Sequence, residues 1–109
     1  MQPERHRARR YPFHASIELT DLESETQTKA QTSDLSLFGC RVDTPKPLPA
    51  GTRVRIKISH RSENFEALGR VVYFRQNEGM GIHFASIQPN DQSVLDQWID
   101  EQRDSRKQC

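Results

Sequence analysis

Arg5, Arg7, Arg9 and Arg10 crowd into one short stretch near the start of the chain, and Asp34, Ser36 and Gly39 follow some two dozen residues later. A guanidinium fork can clasp a phosphate through paired charge-assisted hydrogen bonds or bridge O6 and N7 of a guanine. A carboxylate two places from a hydroxyl accepts from ring N–H donors. A glycine closing the same turn can take positive φ and lets a ligand approach the backbone. Mobile arginines beside a small polar cradle therefore suit a compact, doubly charged purine nucleotide. Each half alone says less. An isolated arginine cluster reads as a solubilising tail or a non-specific nucleic-acid arm, and Asp, Ser and Gly are ordinary turn residues. The combination carries the signal.

Charge placement points the same way. The chain of 109 residues has a net charge of only +1, yet residues 1–10 set four arginines against Glu4 for a local +3, leaving −2 for the rest. With no apolar face to bury, residues 1–10 are expected to form a flexible arm that orders against an anion. A chain of this length buries one core, so the expectation is a single barrel domain over residues 11–102 and a disordered tail over 103–109. The hydrophobic fraction is 33% and charged residues are 28%, with apolar runs of only a few residues. That pattern argues against membrane insertion, and the polar amino-terminal stretch gives the cytoplasm as the expected compartment.

The elements that must position these groups follow from periodicity. Phe13, Ala15, Ile17 and Leu19 share one parity and predict a half-buried strand. Thr26 to Thr32 is extended in character and leads into the Asp34 turn, after which Cys40 and Val42 flank Arg41 in a short return strand. Pro45, Pro47, Pro49 and Gly51 make a stiff loop. Val54, Ile56 and Ile58 alternate with Arg55 and Lys57; Phe65 to Arg75 is a longer strand with Ala67, Gly69, Val71 and Tyr73 inward and a bend allowed at Gly69. Asn77-Glu78-Gly79 closes a hairpin into Met80, Ile82 and Phe84. From Pro89, Val94, Leu95, Trp98 and Ile99 recur at helical spacing, predicting an amphipathic lid of about three turns anchored by Trp98. The fold class is all-β with a C-terminal helix: a small six-stranded antiparallel β-barrel, closed so that no sheet edge is left bare.

Arranged this way, the chain resembles the PilZ domain family, a cyclic di-GMP receptor module marked by an RxxxR arm and a [D/N]xSxxG turn. Asp34, Ser36 and Gly39 complete the second motif. In the first, the second arginine precedes a hydrophobic-Pro-hydrophobic strand start, here Tyr11-Pro12-Phe13, so Arg10 is the aligned residue and His6 stands four places earlier. A strict RxxxR lies one residue out of register at Arg5 and Arg9, with Arg7 between them. The resemblance implies cyclic di-GMP as ligand, held by Arg5, Arg9, Arg10, Asp34, Ser36 and Gly39. His6, Arg7 and Arg41 are further candidates, and Arg70 is a helper whose facing the sequence does not fix. It also implies that ligand binding orders the arm and signals to a downstream protein, which the sequence does not identify. The alternative within the same family is an adaptor that does not bind the nucleotide, for which His6 in the aligned register is the best support.

Other chemistry finds little footing. Cys40 reads as a small buried hydrophobe and Cys109 as an exposed thiol, and the four histidines lie far from one another and from the cysteines, so no metal or other cofactor is expected. No catalytic residue is assigned: Ser36 has no histidine base in a nucleophile motif, and there is no phosphate loop. Nucleic acid is disfavoured, because most aromatics fall on core parities instead of interleaving with basic residues along a groove.

Overall fold

A computed structural model gives the arrangement of residues 9–107, with side chains described through residue 104. Seven strands run in the order β1 (Tyr11–Pro12), β2 (Ser16–Asp21), β3 (Gln27–Leu35), β4 (Gly39–Asp43), β5 (Arg53–His60), β6 (Glu63–Arg75) and β7 (Gly79–Ser86), followed by α1 (Pro89–Lys107). Every pairing is antiparallel, and the β3–β4 ladder closes the sheet on itself. β2 to β7 thus form a six-stranded barrel. β1 is a short extra strand on β3, pairing Tyr11 with Leu35 and Pro12 with Asp34.

The expected first strand is broken. β1 and β2 lie end to end along the same side of β3, separated by Phe13, His14 and Ala15. Phe13, His14 and Ala15 stand opposite only Thr32 and Ser33, so the first strand carries one residue more than β3 here, while β3 itself bulges by Ser33 against β4. Buried Thr32 bridges the break: its Oγ1 accepts from Ala15 N–H and donates to the Phe13 carbonyl. Phe13 and Ala15 nevertheless stay buried, so the parity of the expected strand survives the interruption.

Alternate residues of β2, β5 and β7 fill the barrel, with Ile17, Leu19, Val54, Ile56, Ile58 and Ile82 all nearly inaccessible. α1 packs mainly on β6 and buries Leu95, Trp98 and Ile99. Trp98 meets the rings of Phe13 and His60 at 5.4 Å each and that of Phe65 at 6.3 Å, while its Nε1 donates to Glu63 at 3.2 Å. Asp91 ties the start of the helix to β6 by accepting the Glu66 amide at 2.9 Å.

Two expectations are corrected. The helix runs 19 residues to Lys107, about five turns in place of three, so residues 103–107 continue the helix instead of forming a tail. Asp100 and Arg103 pair at 3.1 Å within this extension, the i,i+3 spacing that supports a helix end. Tyr73, expected inside, is 42% exposed. A register shift between Val71 and Tyr73 inserts one residue and flips the parity of everything beyond it. A second shift at Leu68/Gly69 sits where the sequence allowed a bend.

Candidate functional site

The bulge and the broken strand bring the two sequence motifs together. Where β1 meets the end of β3, Arg10 reaches Asp34 with both Nε and NH2 donating to Oδ1, at 3.1 and 2.8 Å. The pair is half open to solvent, with the Arg10 side chain 47% and the Asp34 side chain 26% exposed. An ion pair in such surroundings stabilises the fold by about 0–1 kcal/mol and is readily exchanged for another partner. Arg10, Tyr11, Pro12, Ser33, Asp34, Arg41 and Asp43 line an open groove of about 490 Å³, within the rough 300–1,000 Å³ range of small-molecule sites.

Arg41 belongs to this groove because it stands directly opposite Asp34 across the β3–β4 ladder. Asp43, two residues further along β4, leaves the same face. Two guanidinium and two carboxylate groups therefore border one opening: donors for phosphate or guanine O6 and N7, and acceptors for guanine N–H groups. Ser33, the bulge residue, adds a hydroxyl that is buried and has no hydrogen-bond partner among the described residues.

Ser36 and Gly39 act differently from the sequence expectation. Ser36 is 1% exposed, and its Oγ accepts the amides of Phe38 and Gly39 at 3.2 Å each while donating to the Gly39 carbonyl at 3.3 Å. The Ser36 amide closes the corner on the same carbonyl at 2.8 Å. Its hydroxyl thus builds the β3–β4 corner and is not directed at the groove. Gly39 does not take positive φ; among the described glycines only Gly51 does. Its missing Cβ is required for another reason, since a Cβ there would run into the Ile82 carbonyl on β7. Cys40 follows at full burial, its thiol pushed up to about 12 first by desolvation, then by the Asp34 charge, with Arg10 opposing.

Arg9 is exposed and makes no ion pair among the described residues. Arg5, His6 and Arg7 lie outside the described residues. Arg70 faces outward on β6, opposite Arg53 on one side and His83 on the other. A residue the sequence reading placed in the core joins the site's row instead: Asp34, Arg41, Gly81 and Tyr73 are successive cross-strand partners on β3, β4, β7 and β6. The Tyr73 ring lies over Gly81, occupying the space a Cβ there would need, and presents an exposed aromatic face beside Arg41's strand. The one-residue bulge hid it; an aromatic facing a glycine across a hairpin was the available signal. Asp43 was legible by its parity with Arg41 and was missed.

Among the described residues no group of three or more His, Cys, Asp or Glu could hold a metal ion, and no described helix is long and apolar enough to cross a membrane. The sequence matches the PilZ domain family over residues 4–101. The chain belongs to the PilZ domain family. Solved PilZ structures share its fold at low identity. The PilZ domain of YcgR from Escherichia coli, solved with c-di-GMP, is 19% identical with a TM-score of 0.74, covering 95% of this chain and 96% of that one. The PilZ domain of CeSA from a cellulose-synthesizing bacterium is 19% identical with a TM-score of 0.68, covering 86% and 97%. The Bacillus subtilis inhibitor of motility MotI/DgrA is 18% identical with a TM-score of 0.77, covering 97% of this chain but 54% of that protein. No curated protein sequence matches this PilZ chain.

Proposed function

We propose that this PilZ domain binds cyclic di-GMP in the groove between β1, β3 and β4 and passes the event to a separate protein. The observation that carries the reading is the Arg10–Asp34 pair at 2.8 Å on the rim of a groove that also holds Arg41 and Asp43. Arg10 supplies a fork to phosphate or to guanine O6 and N7, and Asp34 accepts from N1 and N2, donors that adenine does not reproduce. Because the pair is solvent-exposed, exchanging it for ligand contacts costs little. Tyr73 offers a stacking face in the same cross-strand row. Arg5, Arg7 and Arg9, with His6 in the aligned register, add cationic or donor groups from the arm.

Ser36 and Gly39 contribute by holding the corner, so that Asp34 and Arg41 stand in register. The process is coupled ordering and binding, with no chemical transformation: residues 1–10 close over the ligand, and the cost of ordering them lowers the affinity to the micromolar range. The complex of YcgR with c-di-GMP supports the choice of ligand. Isothermal titration with cyclic di-GMP tests the proposal. Saturable heat that GMP does not produce is expected; no heat at high micromolar ligand favours the adaptor reading, for which His6 in place of the aligned arginine is the specific support.

A further inference from the structure

The outer face of β5, β6 and β7 carries an arrangement that the nucleotide groove does not use. Arg53 stands directly opposite Arg70, and Arg70 directly opposite His83. Arg55 lies next along β5, opposite Leu68. All four basic residues are exposed. Like charges in direct cross-strand register, roughly 4.5–5.5 Å apart at Cβ, destabilise a sheet. Yet none of the three arginines makes an ion pair among the described residues, whose three pairs are Arg10–Asp34, Arg61–Glu101 and Arg103–Asp100. Glu66 stands opposite Lys57, and Asp21 and Glu23, which border one pocket with Arg53, form no ion pair with it among the described residues. On β6 two exposed aliphatic side chains flank Arg70, Leu68 two residues before it at 41% and Val72 two residues after it at 52% exposure.

We infer that this face docks an acidic segment of a partner protein with spaced leucines, its carboxylates received by Arg53, Arg55 and Arg70 and its apolar side chains seated on Leu68 and Val72 to either side of Arg70. Charge complementarity chooses the sign of the partner, and arginine's planar fork suits carboxylates in particular. The apolar residues that flank Arg70 are aliphatic, which favours a protein segment over single-stranded nucleic acid, whose bases stack on aromatic platforms. A membrane surface fits less well, because recognition there relies on roughly 4–8 lysines and arginines beside a spanning or amphipathic helix, and this sheet face has three arginines. A second copy of the chain is a poorer occupant too. Four of the five carboxylates of α1 are already engaged, Asp91 with the Glu66 amide, Asp96 with Gln92, Asp100 with Arg103 and Glu101 with Arg61, which leaves Asp104 alone to offer a second copy.

The location gives this surface a use. Its central row runs Arg53, Arg70, His83 and on to Gly39 at the β3–β4 corner, so the partner's footprint borders the nucleotide groove without including Arg10 or Asp34. The inference does not depend on nucleotide binding, and the peptide titrations are run without nucleotide. The probe is a synthetic glutamate-rich peptide with spaced leucines, and its control is the same peptide with glutamine in place of glutamate. With isotopically labelled protein, the acidic peptide is expected to shift the amides of residues 53–55, 68–72 and 83–85. Affinity should fall at least tenfold in Arg53→Glu/Arg70→Glu and, separately, in Arg55→Glu/Leu68→Ser, both with unchanged circular dichroism.

Four results overturn the assignment. They are no binding at millimolar peptide, equal binding of the glutamine control, binding of phosphatidylserine vesicles or oligothymidylate but not of peptide, and concentration-dependent self-association abolished by Arg53→Glu. If Arg53→Glu/Arg70→Glu weakens cyclic di-GMP as strongly as peptide, the face belongs to the nucleotide site and the inference also fails.

Discussion

The β3–β4 corner and the β6–β7 hairpin each start a strand with a glycine pressed against its neighbour. A Cβ on Gly39 would strike the Ile82 carbonyl, and one on Gly79 would strike the Val42 carbonyl. The two glycines sit at opposite ends of the same β4–β7 ladder, paired with His83 and Asp43. The hairpin turns through Arg75, Glu78 and a positive-φ Asn77 and carries no buried polar group. The corner instead wraps its backbone around the Ser36 hydroxyl and sets Asp34 opposite Arg41 and within reach of Arg10. Glycine at the corner is thus a demand of the barrel, which the hairpin shares. What distinguishes the corner is the charged pair and the groove beside it.

Alkaline pH separates the two regions most strongly. Cys40 sits at the corner with its thiol raised from 9.0 to about 12, and the hairpin has no such group. A raised thiol favours the folded state fully below pH 9.0, and this contribution is lost as pH climbs toward about 12, at about 1.4 kcal/mol per unit. Denaturant midpoints across that window are expected to fall in the wild type and to flatten in Cys40→Ala.

Next in size, Gly39→Ala and Gly79→Ala should each cost about 1–3 kcal/mol by forcing a backbone shift. Urea unfolding showing a loss at one glycine only would break the equivalence drawn between the two turns. Ser36→Ala leaves the Phe38 and Gly39 amides without their side-chain acceptor and should cost about 1–3 kcal/mol, whereas Asn77→Ala should change cyclic di-GMP affinity not at all. Arg10→Ala and Asp34→Ala should each weaken cyclic di-GMP by tenfold or more in calorimetric titration. The smallest effect comes from the same two substitutions read as stability: their ion pair is exposed, so thermal unfolding should shift by under about 1 kcal/mol.

Most of the barrel was legible because its strands obey a period of two over long stretches. Arg53 to Ser59 alternates without exception and its apolar residues are fully buried, and Trp98 lies under the helix as its spacing required. What escaped were the places where one residue is inserted. An extra residue among Phe13, His14 and Ala15 split the first strand, and the bulge beside Val72 turned Tyr73 outward. Neither carries a local signature, since an extra residue is accommodated by the partner strand and not by its own neighbours. The motif spacing singled out Arg10 and Asp34 as candidates for one site, but not their direct ion pair. The inward commitment of Ser36 was not, because periodicity places it on the Asp34 face while the corner's unpaired amides draw its hydroxyl inside.

Amide chemical-shift mapping during a cyclic di-GMP titration reads nucleotide binding in the β1–β3–β4 groove residue by residue. Saturable shifts are expected at Arg10, Ser33, Asp34, Arg41 and Asp43, with small ones around Asn77 and loss of the signature in Asp34→Ala. Shifts that avoid the β1–β3–β4 groove, or none at saturating nucleotide, would contradict binding there.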